Sequence, residues 1–449
     1  MDMVRAMPGP TPTPVTSDSS LPSRVDVVVI GGGIVGASTA LELAERGQSV
    51  LLAEKGEIGA EQSSRNWGWV RLSLRDPREI PLMIEAIRIW EGLEERTGRN
   101  LGYTKCGILF AAAGERSRAG YENWARHLEP HQIACSVVDG TDFDDLLPGH
   151  RIKTNGALFT PIDGRAEPQW AAPAIAEAAR DRGAHVMTNC AVRALDLSAG
   201  KVTGVFTEKG RVACDAVVLA GGAWSRLFAG NAGIHLPQLK VLNTVMRTSP
   251  VEGGPEASVW ADRFALRKRA DGGYTVASGV ENTYDLVPDS FRLMRAFLPA
   301  LMHEWSSLRF RLSGRWTDEA TEARRWSPDD VTPFETCRVL DPKPSDRVLK
   351  SCWADAQRAF PVLAQAHMVQ SWGGMIDVTP DAIPVISAVD GMAGMHIATG
   401  FSGHGFGIGP GAGRLMADLV TGRTPVVDPT DYRLSRFSDG SRIHLDKGF

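Results

Sequence analysis

The fold is decided by residues 24–55, which read RVDVVVIGGGIVGASTALELAERGQSVLLAEK. An apolar strand runs into the turn Gly31-x-Gly33-x-x-Gly36, a helix of small residues follows, and a second apolar strand ends at Glu54. In this arrangement the first glycine allows a tight turn, the second lets the backbone approach a pyrophosphate, and the third lets helix and strand pack closely. The sequence therefore predicts a Rossmann-type dinucleotide site, in preference to a glycine-rich turn in an unrelated α/β protein.

The polar groups around this turn fit the same prediction. Ile34 and Val35 open the helix, whose N-terminus offers unpaired N–H groups and a positive dipole end to phosphates. Glu54 follows Gly36 by 18 residues, at the place where a carboxylate accepts hydrogen bonds from ribose hydroxyls. Lys55 comes directly after it and joins the predicted cofactor site.

Bulk composition excludes several classes of protein. A chain of 449 residues predicts two or three lobes, and a net charge of −4 argues against nucleic acid as a partner. No run approaches the apolar length of a transmembrane segment. The six cysteines include no C-x-x-C pair, so we expect no metal site and a reducing, cytoplasmic location. Residues 1–23, rich in Pro, Ser and Thr, predict a disordered tail.

The order of elements predicts an α/β chain, α+β overall, whose nucleotide-binding domain is discontinuous. Buried strands end in glycine turns far apart in the chain, while residues 236–350 lack any βαβ rhythm. We expect the binding domain to comprise 24–105, 152–235 and 355–425. An antiparallel substrate domain would comprise 106–151 and 236–354, and 426–449 would form a C-terminal extension.

Four stretches together resemble the FAD-dependent amino-acid and amine oxidoreductases of the D-amino-acid oxidase superfamily, near glycine oxidase, sarcosine oxidase and D-amino-acid dehydrogenase. They are residues 24–55, Asp215-x-Val-Val-x-Ala-Gly-Gly-Ala-Trp-Ser225, Thr379-Pro-Asp-x-x-Pro384 and Thr399-Gly-Phe-Ser-Gly-His-Gly-Phe406. The resemblance runs from Arg24 to Gly422. It implies a Rossmann-type FAD domain and oxidation of an amine or amino acid at its C–N bond.

The resemblance also implies which residues hold FAD. Besides the first turn and Glu54, they are Ser63, Ser64, Arg65, Asn66, Trp67, Val192, Ala220, Gly221, Gly222, Trp224, Gly374, Gly403, His404, Gly405, Phe406 and Gly407. The last loop would lie beneath the flavin pyrimidine, where backbone N–H groups stabilise the negative charge of reduced flavin.

Two departures from the family pattern bear on chemistry. Monomeric sarcosine oxidase carries a lysine directly after its Ser-Gly-His-Gly-Phe run and a flavin-linking cysteine shortly before its Thr-Pro-Asp. The matching positions here are Gly407 and Gly374, and the 63–71 loop contains no histidine. We therefore expect non-covalent FAD and a different way of holding a substrate carboxylate.

Arg71 and Trp69 are the first candidates for the substrate side. Arg71 would pair with a substrate carboxylate through its planar guanidinium, and Trp67 or Trp69 would form a cavity wall. Alternatively the tryptophans are core residues and Arg71 bridges to an acid of the protein. Arg75 is a weaker candidate on the same grounds.

Three further groups could reach the reacting centre. His404 would either donate to a flavin carbonyl or brace its loop. Lys268, between Arg267 and Arg269, would point into the cavity or form part of a solvated edge strand. Lys240 is a second lysine that could lie near the flavin, and Trp372 would roof the cavity or belong to the core.

The leading functional expectation is FAD-dependent oxidation of a small amine or amino acid, with oxygen or an electron carrier as acceptor. A first alternative is the flavoprotein subunit of an opine-type or sarcosine-type complex, which makes an oligomer or complex possible. A second is a non-catalytic FAD-binding protein, and a third is a nicotinamide-only dehydrogenase.

Overall fold

The computed structural model describes residues 9–261, 263–279, 281–304 and 308–445. Its strands are β1 (Val27–Ile30), β2 (Val50–Ala53), β3 (Trp69–Val70), β4 (Thr104–Lys105), β5 (Ile108–Ala111), β6 (Ser136–Val138), β7 (Ala157–Thr160), β8 (Gly164–Arg165), β9 (His185–Met187), β10 (Val192–Ser198), β11 (Lys201–Thr207), β12 (Gly210–Ala213), β13 (Ala216–Leu219), β14 (Leu239–Thr248), β15 (Ser258–Ala261), β16 (Phe264–Lys268), β17 (Tyr274–Ser278), β18 (Asn282–Leu286), β19 (Leu308–Leu312), β20 (Met368–Val378), β21 (Val385–Ala388) and β22 (Met395–Thr399). Its α-helices are α1 (Ile34–Glu45), α2 (Gln62–Arg65), α3 (Ile80–Thr97), α4 (Glu115–Ala125), α5 (Gly140–Leu146), α6 (Pro168–Asp181), α7 (Ser225–Asn231), α8 (Pro288–Arg292), α9 (Met294–Glu304), α10 (Arg315–Thr321), α11 (Pro333–Thr336), α12 (Asp346–Ala359) and α13 (Gly405–Thr421). Within these ranges no helix combines the length and the apolar character needed to cross a membrane.

A six-stranded sheet forms the centre of the nucleotide-binding fold. Its strand order is β21-β22-β13-β1-β2-β9, and every pair is parallel except β21 with β22. The four residues of β1 are all buried, as expected for a strand covered on both faces. Helices α1, α6 and α13 contribute buried faces to the core beside this sheet. The predicted α/β class is therefore confirmed.

A larger, mostly antiparallel sheet forms the second part of the chain. Its strand order is β19-β18-β14-β17-β16-β15-β5-β7-β6, and β20 also pairs with β14. The β14–β20 ladder runs from Leu239 opposite Val378 to Thr248 opposite Met368. This long ladder places the second sheet against the carboxyl edge of the first, where β20 leads back towards β21.

Two strands belong to a different sheet from the one that the sequence predicts for them. We expected 152–235 and 355–425 to belong to the nucleotide-binding domain, yet β7 and β20 are both members of the ten-stranded sheet. Apolar runs such as 157–160 look alike in either sheet, so pairing partners decide their membership. The remaining domain boundaries stay predictions.

The expected disordered tail is wrong for residues 9–23. The Thr13 N–H donates to the Gln169 carbonyl oxygen (2.9 Å), and the Asp18 N–H donates to the Val186 carbonyl oxygen (2.8 Å). The Val15 side chain is buried in the core. These backbone bonds give an otherwise low-propensity segment an ordered path, which composition alone does not reveal. Residues 1–8 lie outside the described residues.

The C-terminal extension also packs against the nucleotide-binding fold. Tyr432 is buried, and its hydroxyl donates to the Arg78 carbonyl oxygen (2.8 Å). Arg436 is paired with Asp381 (2.9 Å), within the Thr-Pro-Asp motif. Residues 446–449 lie outside the described part of the chain.

Candidate active site

A cavity of about 320 Å³ lies between the two large sheets. One side is formed by the turns after β1, β2 and β13, which are the carboxyl ends of parallel strands, the usual ligand-binding edge of such a sheet. The other side is formed by residues of β14, β15 and β20. Both parts of the fold therefore contribute to one site.

The glycine turn has the close contacts that its spacing predicts. Gly31 adopts φ +105°, and a Cβ atom there would lie 2.5 Å from the Ala220 carbonyl oxygen. A Cβ on Gly36 would lie 1.9 Å from the Gly31 carbonyl oxygen, so only glycine lets α1 start this close to the turn. The N-cap of α1 is Gly33, which carries no capping side chain. This leaves the positive end of the helix facing the cavity.

Glu54 links the end of β2 to the glycine turn. Its two carboxylate oxygens accept hydrogen bonds from the N–H groups of Gly32 (2.7 Å) and Gly56 (2.8 Å). Burial raises the pKa of Glu54, and the neighbouring Lys55 and these two N–H groups oppose that shift. Each oxygen retains a further lone pair, so the carboxylate can still accept from a ligand hydroxyl.

Lys55 is held beside an indole ring. Its Nζ atom lies 2.7 Å from the Glu61 Oε1 atom and 2.9 Å from the Cys337 carbonyl oxygen. The same ammonium lies 4.5 Å from the Trp224 ring centroid. This end of the cavity is lined by Lys55, Glu61, Trp224 and Val192.

The segment expected to lie beside the pyrophosphate includes the short helix α2. Ser63 and Asn66 line the cavity, and the Ser63 Oγ atom accepts from the Ile34 N–H (2.9 Å). Arg65 also lines the cavity, but its guanidinium is bound to Asp341 (2.5 Å) and to the Gly373 carbonyl oxygen (3.0 Å). Its charge is thus already neutralised by the protein.

At the opposite end, residues 403–407 lead into helix α13. His404 is the N-cap residue, and Gly403 has φ +87°. A Cβ atom on Gly407 would lie 3.1 Å from the Trp69 carbonyl oxygen, so α13 begins directly against β3. The loop predicted to lie beneath a flavin therefore forms a cavity wall with a helix N-terminus behind it.

Aromatic side chains form the wall between the two ends. The ring centroid of Trp67 lies 5.4 Å from that of Trp69 and 5.3 Å from that of Trp260. Phe110 packs on Trp69 with centroids 5.9 Å apart. The Trp67 indole N–H donates to the Asn243 side chain (3.2 Å). The wall is thus mainly apolar, with the amides of Asn243 and Asn282 beside it, which suits an organic substrate held away from water.

Arg71 is a buried cation of this cavity that forms no ion pair with a described residue, although Asp163 and Glu79 act on its charge from further away. Its side chain is 7% exposed and lines the cavity, and its Nη1 atom donates to the Ser73 carbonyl oxygen (2.5 Å). Among the described residues no carboxylate lies within ion-pair distance of it. Burial, with Arg75 as the next cause, lowers the pKa of Arg71 to about 9. An anionic ligand would relieve both effects.

Next to Arg71 lies a cluster of Arg75, Glu79 and His404, of which Arg75 and His404 also line the cavity. Arg75 donates to the Arg71 carbonyl oxygen (3.1 Å) and to the His404 carbonyl oxygen (3.1 Å). The Glu79 carboxylate lies 3.7 Å from Arg75 and 3.5 Å from the His404 Nδ1 atom. Burial and the two arginines hold the pKa of His404 well below its ordinary value, so the imidazole is neutral.

Most of the predicted site residues are brought to this one cavity. The predicted residues that line it are Gly31, Gly33, Ile34, Val35, Glu54, Lys55, Ser63, Arg65, Asn66, Trp67, Trp69, Arg71, Val192, Ala220, Gly221, Gly222, Trp224, Gly374, Gly403, His404, Gly405, Phe406 and Gly407. Gly36 and Ser64 lie behind it, where Gly36 permits helix packing and Ser64 hydrogen-bonds to the Glu61 carbonyl oxygen.

Lys268 is the prediction that the structure corrects. It lies at the end of β16, away from the cavity lining, and forms an ion pair with Glu256. Its neighbour Arg267 turns to the opposite face, where it pairs with Glu167 (2.8 Å). Alternation along the strand separates the two side chains. Neither basic side chain lines the cavity.

The two remaining candidates, Trp372 and Lys240, do not line the cavity. Trp372 is buried among Val245 and Ala277, and its indole N–H donates to the Arg65 carbonyl oxygen (3.0 Å). Lys240 lies outside the cavity lining, with its Nζ atom 5.0 Å from the Trp224 ring centroid.

Sequence reasoning missed several lining residues of the second sheet. Trp260, Asn243 and Asp377 line the cavity from β15, β14 and β20. Asp377 is buried and accepts from the Gly400 N–H (2.8 Å), which fixes the start of the last glycine loop. Its place two residues before the Thr-Pro-Asp motif was a usable signal. Trp260 offered no local signal, since only sheet pairing brings it beside Trp67.

The cavity fits FAD by the chemistry of its walls. A helix N-terminus and an acidic residue lie at one end, where a pyrophosphate and a ribose need them. The buried Trp69 Nε1 donor has no hydrogen-bond partner among the described residues. It belongs to a side chain that lines the other end and could serve a bound group.

Comparison with known proteins gives the class. The family model described as FAD dependent oxidoreductase matches residues 26–419, so the chain belongs to that family. The expected family, FAD as cofactor, and oxidation of amines or amino acids as the class of reaction are confirmed at this level.

Individual relatives extend the comparison. The chain is 27% identical to 4-methylaminobutanoate oxidase (formaldehyde-forming) of Paenarthrobacter nicotinovorans, over 94% of this chain and 47% of that protein, about half its length. It is 25% identical to sarcosine oxidase subunit beta of Rhodobacter capsulatus, over 94% and 90% of the two chains. The structure of L-amino acid deaminase from Proteus myxofaciens in complex with anthranilate superposes with a TM-score of 0.92 at 34% identity, covering 95% of this chain and 97% of that one.

Proposed function

We propose that this chain oxidises an α-amino acid at the bond between its α-carbon and nitrogen, with the substrate carboxylate bound to Arg71. The supporting observation is the contrast among buried arginines. Arg65 and Arg267 are paired with Asp341 and Glu167, whereas Arg71 faces the cavity with no acid within ion-pair distance in the described residues. A buried guanidinium without an ion-pair partner is costly, and the carboxylate of a ligand would supply that partner.

The position of Arg71 beside the aromatic wall defines how a substrate would lie. The Arg71 guanidinium carbon is 5.7 Å from the Phe110 ring centroid, and Trp69 packs on the same ring. A carboxylate at Arg71 would therefore direct the rest of the substrate along Trp69 and Trp260. The aromatic side chains exclude water from the site. A substrate amine there would stay uncharged, and an imine product would be protected from early hydrolysis.

FAD, when bound, supplies the acceptor for the hydride that leaves the substrate carbon. The chain's own part is to hold the substrate in a reactive orientation and to place the N-terminus of α13 where negative charge develops. We further propose that FAD is held without a covalent bond, because Gly374 stands where a linking cysteine would be needed. Acid precipitation should release all the flavin into solution.

A second candidate is the flavoprotein subunit of a larger complex. It is favoured by the similarity to a sarcosine oxidase subunit over nine tenths of both chains. In that case the isolated holoprotein would be reduced by substrate but reoxidised slowly by oxygen, and it would copurify with a partner. Mass measurement of the native protein and oxygen uptake distinguish the two candidates.

The six cysteines are unpaired, which supports a reducing, cytoplasmic compartment as part of the proposal. A nicotinamide-only dehydrogenase is set aside because the family to which the chain belongs depends on FAD. A non-catalytic flavoprotein would bind FAD without being reduced by any amine.

Anaerobic reduction of the bound flavin tests the proposed function. The purified holoprotein would be mixed with L- and D-amino acids, N-methyl amino acids, opine-like secondary amines and the corresponding amines without a carboxylate. We expect an α-amino acid to bleach the flavin absorption and its decarboxylated amine to do so far more slowly. Bleaching by amines alone would contradict the carboxylate site, and no bleaching by any compound would favour a non-catalytic flavoprotein.

A further inference from the structure

Glu79 is a buried carboxylate that receives no hydrogen bond from the described part of the chain. It ends the short helix 77–79, its side chain is 1% exposed, and neither oxygen accepts a hydrogen bond from a described residue. The nearest groups are Arg75, 3.7 Å away, and the His404 Nδ1 atom, 3.5 Å away. Buried carboxylates normally accept several hydrogen bonds. A buried carboxylate without them is costly in its charged form, so its protonated form is favoured.

The charges around Arg71 balance in the absence of a ligand. Two buried arginines, Arg71 and Arg75, are offset by two buried carboxylates, Asp163 and Glu79. Any anion that binds beside Arg71 adds one negative charge to this enclosed group. In a region of low dielectric such an excess is expensive and is relieved by taking up a proton.

The two carboxylates differ in how firmly their charge is held. Asp163 accepts hydrogen bonds from the N–H groups of Leu72 (2.6 Å) and Ser73 (3.3 Å) and from the Ser73 hydroxyl. Glu79 accepts no hydrogen bond from the residues that the structure describes, and burial raises the pKa of Glu79 to about 7. The proton is therefore expected on Glu79 before Asp163.

The other groups facing Glu79 leave it as the natural acceptor. They are Asp76, Arg78, Tyr432 and His404, besides the two arginines. Asp76 and Arg78 pair with each other (2.7 Å), and the Tyr432 hydroxyl donates to a backbone carbonyl. His404 is the alternative acceptor, and burial, Arg75 and Arg71 oppose its protonation.

We propose that Glu79 takes up one proton from solvent when a carboxylate binds beside Arg71, so that substrate binding and protonation of Glu79 are coupled. This rests on the proposed carboxylate site. One O–H bond forms on the Glu79 carboxylate, and no other covalent bond changes. Glu79 acts through Arg75 and is a positioning residue of the binding site, since it does not line the cavity.

Benzoate binding to the holoprotein tests the coupling without catalysis. Flavin absorption reports the dissociation constant, and a pH indicator in weakly buffered solution reports protons taken up at about pH 8, above the pKa of Glu79, which is about 7. We expect uptake approaching one proton per benzoate, and a dissociation constant that rises up to about tenfold per pH unit above that value.

Two variants locate the proton. Glu79→Gln should bind benzoate with no proton uptake and with little dependence on pH. Glu85→Gln is the matched control, because Glu85 is a buried acid of the next helix that pairs with Arg414 (3.2 Å) away from the cavity. It should behave as the unaltered protein does. If Glu79→Gln does not fold, infrared difference spectra of the unaltered protein should show a protonated carboxyl group appearing on binding.

Three results would overturn the coupling. Benzoate binding without proton uptake, or without a new carboxyl band, would show that Glu79 does not respond and would leave the role of Arg71 intact. Undiminished uptake in Glu79→Gln would place the proton on another group, such as His404. Failure of benzoate to bind at any pH would contradict the proposed carboxylate site together with the coupling.

Discussion

Gly407 and Trp69 are in direct backbone contact. A Cβ atom on Gly407 would lie 3.1 Å from the Trp69 carbonyl oxygen and equally close to the Val70 Cα atom. The helix that begins beneath the predicted flavin position therefore braces the strand that leads into Arg71. Gly407 is also the position that matches the lysine of monomeric sarcosine oxidase, and the contact with Trp69 leaves no room here for such a side chain.

Gly407→Ala should destabilise the protein by about 1–3 kcal/mol, because the atoms nearest to an added Cβ belong to the backbone of residues 69–71, which cannot move aside as a flexible side chain would. Thermal unfolding of the holoprotein measures the change. Gly92→Ala is the matched control, since Gly92 lies within helix α3 with no atom near an added Cβ. It should stabilise by about 0.5–1 kcal/mol. Equal effects of the two substitutions would show that the Gly407 contact is unimportant.

Glu54→Gln should weaken FAD binding. The carboxylate accepts from two N–H groups, and an amide nitrogen in place of one oxygen would face a donor. A penalty of about 1–3 kcal/mol corresponds to roughly a 5- to 150-fold higher dissociation constant for FAD. Titration of the apoprotein with FAD measures it. Glu91→Gln, which removes an exposed ion pair with Lys105, should leave FAD affinity unchanged.

Arg267→Met should affect stability rather than substrate binding. Arg267 is buried against Glu167, and removing it leaves that carboxylate with only the longer ion pair to Arg269 (3.9 Å), at a cost of up to about 3–5 kcal/mol. Urea unfolding measures this loss, and the double variant with Glu167→Gln should recover part of it. A loss of substrate affinity at unchanged stability would instead indicate that Arg267 contacts the substrate.

Asp163 should make stability depend on pH in a particular direction. Burial raises the pKa of Asp163 to about 6, above the value of about 3.9 in an unfolded chain. The folded state therefore binds this proton more tightly, so the contribution is fully present below about pH 4 and is lost as pH rises through 6.

The free energy of unfolding, relative to that of Asp163→Asn, should fall between pH 4 and 7 by up to about 1.4 kcal/mol per pH unit. Urea unfolding of both proteins over this range measures the difference. A difference that is constant with pH, or that grows as pH rises, would contradict the raised pKa.

The cofactor side of the site could be predicted because its signals are local. Gly31, Glu54 and Gly403 each belong to a short motif whose spacing fixes its geometry, wherever the second sheet lies. The order of elements likewise predicted the parallel sheet. The path of residues 9–23 could not be predicted, since their ordering depends on backbone bonds to α6 and β9 and not on their composition.

The substrate side depends on pairing between distant strands. Trp260 reaches the cavity because β15 pairs with β5 and β16, and Lys268 is excluded because strand alternation turns it towards Glu256. From the sequence, Arg71 could pair with an acid of the protein or with a substrate. Only the arrangement of its neighbours shows that no described acid lies within ion-pair distance of it. No sequence signal points to Glu79, because the lack of a hydrogen-bond donor to it among the described residues is a property of the packed interior.

The most direct test of the account compares flavin reduction in the unaltered holoprotein and in Arg71→Met under anaerobic conditions, with one reactive amino acid and its decarboxylated amine. We expect the substitution to slow flavin reduction by the amino acid at least about 100-fold, because a buried charge pair between Arg71 and the substrate carboxylate is lost. Reduction by the amine, which has no carboxylate, should change little. Arg88→Met, which removes an exposed pair with Glu85, should change neither rate. Equal loss for both substrates, or none for the amino acid, would contradict Arg71 as the carboxylate-binding residue.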